Sequence, residues 1–243
     1  MKKSIVVALS VIAVIAISFA FVTAQQEYCD EFALTYPNAK GDLKTNCISC
    51  HFDENGDTQR NLYGVQYEVN MDGDFALFEN DDVDADGFTT IQEINAGTYP
   101  GDFSSRPSKK FSKCVSFILS VENDGDPRPY IYADGKKVDI DAPCYIKNNK
   151  SMVPLRAGIE NLGGEVGWVQ SERRIDIKKG GKLVGQMWIG KQTAKINGKN
   201  YDLQQAPEIV NSRTFVPVKG VGDALGAELV WINVGKIANF RFK

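Results

Sequence analysis

Two short stretches of this 243-residue sequence hold residue types and spacings that could do chemistry. The first is Cys47-Ile48-Ser49-Cys50-His51. Two thiols three positions apart can each add to one vinyl group of the same haem. The following residue then lies beneath the ring, where its imidazole can bond the iron. His51 is the only histidine in the chain, so bis-His ligation within one chain is excluded. Met71, 20 residues further on in the polar segment Val69–Asp74, is the candidate axial ligand. An open or water-bound sixth site, or a ligand from a neighbouring chain, are the alternatives. Two other readings of the motif are a Cys47–Cys50 redox disulfide and a structural zinc site. Zinc asks for four ligands, and only Cys29 offers a fourth. A thioredoxin-like site asks for a βαβ frame that the flanks do not show.

The second stretch is Asp82-Val83-Asp84-Ala85-Asp86-Gly87-Phe88-Thr89-Thr90-Ile91-Gln92-Glu93. It fits the twelve-residue calcium loop, with Asp82, Asp84 and Asp86 at positions 1, 3 and 5. Gly87 makes the sharp turn at 6, the Phe88 carbonyl serves at 7, Thr90 falls at 9, and Glu93 closes with two oxygens at 12. A hard dication wants that many oxygens, and carboxylates packed so closely repel one another without it. An acidic surface loop would account for the charge but not for Gly87 and Glu93 in register.

Stepping outward, the elements that must position these groups lie in a chain of two unlike halves. Residues 25–107 hold 17 acidic against 4 basic residues, and residues 108–243 hold 14 against 22. The change falls near Pro107, in the small polar run Ser104–Ser108, which marks a domain boundary. The acidic half repels nucleic acid and attracts cations or basic partners. A single His excludes zinc hydrolases with several imidazoles and multi-imidazole copper sites; with His51 taken by the motif none is left for a Ser-His-Asp triad, and no other set of side chains forms a catalytic constellation. At the N-terminus, Lys2 and Lys3 precede an apolar run from Ile5 to Phe21 and the small-residue pattern Val22-Thr23-Ala24. This reads as a signal peptide over 1–24, cut before Gln25, with a retained membrane anchor as the alternative. Either places the remainder outside the cytoplasm, where disulfides persist.

The motifs Cys47–His51, Asn61-Leu62-Tyr63-Gly64, Asp82–Glu93 and Gly97-Thr98-Tyr99-Pro100-Gly101-Asp102 together resemble exported bacterial monohaem cytochrome c modules fused to an EF-hand-type loop. The resemblance covers residues 25–107. It implies a small, mainly α module with one covalent haem on Cys47 and Cys50, His51 as proximal iron ligand, a structural Ca²⁺, and electron transfer with redox partner proteins.

The second half repeats itself at a shift of 63 residues. Gly135-Lys136 meets Gly198-Lys199, Val153-Pro154 meets Val216-Pro217, Leu162-Gly163 meets Leu225-Gly226, and Trp168 meets Trp231. Each unit reads as a hairpin (Tyr130–Ile140 or Ala194–Leu203), a strand running into Val-Pro, a helix with Pro154 or Pro217 in its first turn, a Gly stop, and further strands. Leu155, Ile159 and Leu162 form the apolar stripe of the first helix. The expected fold is therefore multidomain, the cytochrome-like module followed by an α+β domain in which antiparallel sheet packs on helices. Met152–Arg156, Thr214–Val218, Leu162–Trp168 and Leu225–Trp231 resemble the copper amine oxidase N-terminal domain in repeated form. Residues 108–243 contain no His, so they cannot hold a copper site built on imidazoles. Trp168 and Trp231 are expected in the core, Arg156 and Lys219 on the surface.

Five Cys less two on haem leave Cys29, Cys114 and Cys144. Cys114 and Cys144 lie in one half and are expected to pair, leaving Cys29 near the haem motif or facing a partner. The first expectation of function is a secreted or cell-surface electron carrier. Its C-terminal half would serve in self-association or hold a cell-surface polymer, with no nucleic acid involved and no membrane unless the N-terminal segment is retained. The rivals are a five-coordinate haem sensor or peroxidase, and a structural surface or filament protein.

Overall fold

The computed structural model describes residues 27–53, 56, 60–69, 74–119 and 130–243. The signal segment 1–24 and Met71 lie outside the described residues. Among those described, no helix is long and apolar enough to cross a membrane.

The acidic half is built from short helices. A helix over residues 27–35 (α1) is followed by α2 (Leu62–Val69) and α3 (Thr90–Ala96), with single 3-10 turns at Gly41–Lys44, Cys47–Ser49 and Phe75–Phe78. Its core is aromatic. Phe32 packs edge-on to Phe75 and Tyr63, and Tyr67 stacks on Phe75 with ring centroids 4.1 Å apart. Buried rings of this size give a short segment much apolar area per residue. The Tyr36 hydroxyl donates to the Phe75 carbonyl at 2.8 Å, so that ring is both packed and satisfied.

The basic half is a succession of hairpins. In chain order they are β1 (Lys113–Ile118), β2 (Tyr130–Ala133), β3 (Lys136–Asp139), β4 (Tyr145–Lys147), β5 (Lys150–Pro154), helix α4 (Leu155–Glu160), β6 (Glu165–Val169), β7 (Arg174–Lys179), β8 (Lys182–Trp188), β9 (Thr193–Ile196), β10 (Lys199–Asp202), β11 (Glu208–Val210), β12 (Arg213–Pro217), helix α5 (Val218–Leu225), β13 (Glu228–Ile232) and β14 (Ile237–Phe242). The turns are local instructions. Asp134-Gly135 and Asn197-Gly198 all take positive φ, as does Gly180-Gly181. Two consecutive left-handed residues make the turn whose twist matches that of the flanking strands.

All strands pair antiparallel within three sheets, and the sheets mix the repeats. One runs β13-β14-β1-β2-β3, a second β10-β9-β8-β7-β6, and the four-stranded third β11-β12-β5-β4. Each five-stranded sheet thus takes three strands from one repeat and the C-terminal hairpin from the other. Strand β8 stands in the second unit where β1 stands in the first: Gly185 faces Ile196 as Val115 faces Ala133. The helices α4 and α5 and the inner faces of the sheets enclose one apolar core, which includes Val153, Val216, Ile159, Val221, Met187 and Phe117.

The sheet containing β1 is covered on both faces. Alternation sends Val115 and Phe117 into the core just described and Cys114, Ser116 and Ile118 to the opposite face, where the acidic half packs. Ile118, Tyr132, Ile232 and Ile237 share an apolar cluster with Phe32, Tyr36 and Tyr63. Polar contacts fix the docking. The Tyr132 hydroxyl donates to the Arg60 carbonyl at 2.6 Å, Asn239 Nδ2 to the Val83 carbonyl at 3.0 Å, and Arg241 bridges Asp82 at 2.8 Å.

Three expectations are corrected. Trp168 and Trp231 are not core residues; they are 41% and 42% exposed, because each sits on an edge strand, β6 or β13, at the rim of its sheet. Cys114 and Cys144 are both free. Cys144 lies in the main core beside Leu119, whereas Cys114 points the other way from β1, toward Ala85 and Phe103. The period-2 alternation of one strand separates them. Pro154 and Pro217 are the last residues of β5 and β12 and precede the helices, one position earlier than expected.

Candidate functional site

The Cys47–Ser49 turn is capped by Asn46, whose side chain accepts from the Ile48 amide at 3.1 Å. The Cys50 and His51 amides both donate to the Cys47 carbonyl, at 3.0 and 2.8 Å, which gathers the two thiols and the imidazole onto one turn. Asn61 holds the motif from outside. It is buried, and its Nδ2 lies 3.1 Å from the carbonyls of Ile48 and Ser49 and 3.3 Å from that of His51, while Oδ1 accepts from the Gly64 amide at 3.0 Å. Gly64 and Gly101 make this possible. A Cβ on Gly64 would stand 2.1 Å from the Cys50 carbonyl oxygen, and one on Gly101 2.3 Å from Asn61 Oδ1. In the sequence, Asn61 and Gly64 belong to a resemblance and carry no assigned role. Their signal was the pairing of an Asn with a Gly three residues on at a helix start.

Cys47, Cys50 and His51 line one cavity of about 330 Å³. Tyr28, Phe32, Tyr67 and Phe75 supply its aromatic walls. The residues fit a covalently held porphyrin in kind, with flat apolar walls for the macrocycle, two thiols for the vinyl groups and one imidazole for the iron. Cys29 lines the same cavity, and burial pushes its thiol up, with Cys47 nearby adding to the shift. Burial pushes the Cys50 thiol up to about 12.

The acidic loop draws its carboxylates together. Carboxylate oxygens of Asp82, Asp84 and Asp86 lie within 4.8 Å of one another. Gly87 has φ +99° and donates to Asp82 Oδ2 at 3.0 Å, while the Asp86 and Phe88 amides donate to Asp84 and Asp86 at 3.2 and 2.8 Å. Asp84, Asp86 and Glu93 are buried, yet one oxygen of each, and one of Asp82, has no hydrogen-bond partner. Burial pushes all four carboxyls up, Asp86 to about 6 and Glu93 to about 12. Repulsion from neighbouring carboxylates adds to the shift at Asp84, Asp86 and Glu93, whereas the Arg241 guanidinium opposes it at Asp82. Three Asp carboxylates drawn together, with an orphaned oxygen on each and on the buried Glu93, are what a hard dication satisfies. Thr90 follows at the ninth position of the loop. It opens α3, and both its amide and its hydroxyl bond the Asp81 carbonyl, at 2.8 and 3.2 Å, which closes the loop by chain-to-chain contact. Phe88 sits at the turn into α3, its ring 3.5 Å from Lys110 Nζ, and Lys110 also bonds the Gly87 carbonyl.

Arg241 was invisible to sequence reasoning. It comes from the last strand, 159 residues from Asp82, bridges Asp82 and Glu228, and lies over the Phe111 ring. Only tertiary pairing brings it to the loop.

A family model described as copper amine oxidase N-terminal domain matches residues 132–237. Residues 132–237 thus form a copper amine oxidase N-terminal-like domain, of α+β architecture with antiparallel sheets and few helices. Strand β1 precedes the match, and most of β14 follows Ile237. No curated protein matches the chain.

Proposed function

We propose that the chain is an exported c-type cytochrome carrying one covalent haem and one Ca²⁺ and serving extracytoplasmic electron transfer. Cys47 and Cys50 hold the haem through thioethers, and His51 is the proximal ligand. Asp82, Asp84, Asp86 and Glu93 hold the calcium. When bound, haem supplies a one-electron Fe(III)/Fe(II) couple. The chain contributes aromatic burial and a fixed imidazole, both of which set the potential of such a centre. Asn61 keeps the motif turn in place through three hydrogen bonds to its carbonyls, and the Gly64 amide holds Asn61 itself. Calcium acts on the fold: binding only the native form stabilises it by mass action, and the loop carrying it is tied to the repeat domain through Arg241. The repeat domain positions the carrier at the cell surface or in an assembly.

The observation that carries this reading is the convergence of both thiols and the sole imidazole on one aromatic-walled cavity. A pyridine haemochrome spectrum and an intact mass of protein made in a host with cytochrome c maturation test it. The expected outcome is red protein, heavier than the polypeptide from Gln25 onward by one haem. Colourless protein at the bare polypeptide mass overturns it.

A further inference from the structure

The internal repeat builds two equivalent grooves on the basic half. The first, about 420 Å³, is lined by Pro154, Arg156 and Trp168 of one repeat and Arg213 and Thr214 of the other. The second, about 630 Å³, is lined by Pro217, Lys219 and Trp231 together with Lys150 and Ser151. Every one of these five pairs is separated by the repeat distance of 63 residues. Each groove is therefore closed across the repeat boundary, which follows from the β5–β12 pairing.

The two sites keep the same chemistry while changing residue identity. In each, the five repeat-related positions supply a Pro at a helix entrance, an indole on an edge strand, two cations and one hydroxyl; Asp141 and Ser212 add to the first groove, and Tyr201, Asp202 and Lys236 to the second. Arg156 and Lys150 have no ion-pair partner among the described residues, whereas Arg213 is paired with Asp141 and Lys219 with Asp223. Each indole stands at the rim of its sheet, 41% and 42% exposed, in the same groove as one of these unpaired cations, and offers a flat apolar face to a ligand. The covering group must be flat, apolar on one side, rich in hydrogen-bonding groups on the other, and anionic. A pyranose ring bearing a carboxylate meets all four demands: its axial C–H groups lie on an indole face, its hydroxyls reach Thr214 or Ser151, and its carboxylate pairs with the cation. Charge complementarity agrees, since residues 108–243 carry 22 basic against 14 acidic residues. Screening beyond about 8 Å at physiological ionic strength lets these local cations act despite the acidic half.

We propose that the repeat domain binds acidic polysaccharide at two equivalent sites, one on Trp168 with Arg156 and Arg213, the other on Trp231 with Lys219 and Lys150. This gives a ligand class to the surface-positioning half of the function proposed above, and it uses no residue of the haem or calcium sites.

Calorimetric titration of the full mature chain with a short oligogalacturonate tests it. The expected result is two sites per chain, weakened at least tenfold by methyl esterification of the sugar carboxylates and by raised salt. Trp168→Ala and Trp231→Ala should each reduce the stoichiometry from two to one, and the double variant should not bind; both side chains are exposed, and an unchanged melting temperature confirms intact folding. Absence of binding overturns the proposal. So does equal binding of oligoglutamate, which would mean charge alone or an acidic protein partner, and so does binding that survives the double substitution. The Cys47→Ala/Cys50→Ala chain is titrated alongside. Unchanged binding there, whatever its colour, separates failure of the haem reading from failure of this one.

Discussion

Val153 and Val216 stand directly opposite each other where β5 pairs with β12, and they occupy the same position of the internal repeat. Their neighbours obey the same exchange, Met152 facing Pro217 and Pro154 facing Phe215. A contact that maps onto itself when the repeats are swapped marks a local two-fold axis. The consequence is an exchanged fold, in which neither repeat contains a complete five-stranded sheet.

Cutting the chain in the Gly180-Gly181 turn therefore yields two fragments that do not fold alone. Expressed separately, each should be aggregated or lack a cooperative melting transition. Co-expressed, they should purify together as a one-to-one complex, because the hairpins β6–β7 and β13–β14 are supplied in trans. A fragment ending before Gly181 that melts cooperatively as a monomer would contradict the exchange.

The hairpin content of this fold was legible from the turns. Asp134-Gly135 and Asn197-Gly198 dictate two-residue hairpins locally, and the two Val-Pro-helix segments repeat. The exchange was not legible, because repeat self-similarity fixes each unit but says nothing of which neighbour completes its sheet. The two indoles misled for a related reason: a large apolar residue at a repeated position reads as core, yet edge strands place it at a rim. On the acidic half, the motif residues were legible from spacing alone. Arg241 and Asn61 were not, since their partners are set by tertiary contact rather than by period.

Gly64→Ala tests the motif turn. The added Cβ meets the Cys50 backbone carbonyl, which cannot swing away as a side chain would. Overpacking of this kind costs about 1–3 kcal/mol, at roughly 2–4 °C of melting temperature per kcal/mol for a chain of this size. Thermal melts should show that loss, and the absorbance ratio of Soret band to protein should fall with it as the thiols leave register. Equal haem content and an unchanged melt would remove Asn61 and Gly64 from their positioning role.

Calcium and the loop carboxylates should act with opposite signs in one variant. At free calcium of about 100 times the dissociation constant, binding adds about 2.7 kcal/mol of stability, which chelator should remove as a drop of the melting temperature. Asp84 is buried against Asp82 and Asp86, with one oxygen unpartnered. Asp84→Asn should therefore raise the melting temperature in chelator, where it relieves repulsion, and abolish the calcium-dependent rise. A melt indifferent to calcium in the parent chain would reduce the loop to an acidic turn.

Thiol counting checks the cysteines. With Cys47 and Cys50 on haem and no disulfide, the denatured mature protein should take up three alkyl groups, on Cys29, Cys114 and Cys144. In the native protein Cys114 and Cys144, buried and with thiols pushed up by burial, should react far more slowly than Cys29. A single modified residue after denaturation would mean that two of the three are bridged.

The sixth iron position separates carrier from sensor. With Met71 as ligand, reduced protein should show a low-spin spectrum, the oxidised form a weak sulfur-to-iron band in the far red, and CO should bind slowly or not at all. Met71→Ala should then open the site, giving a high-spin spectrum, rapid CO binding and a lower potential, since the thioether that favours Fe(II) is lost. Met71→His restores a low-spin spectrum without the sulfur band. If the parent chain is already high-spin and takes CO at once, and Met71→Ala changes neither, Met71 does not reach the iron. The haem then belongs to gas or peroxide chemistry rather than to electron transport.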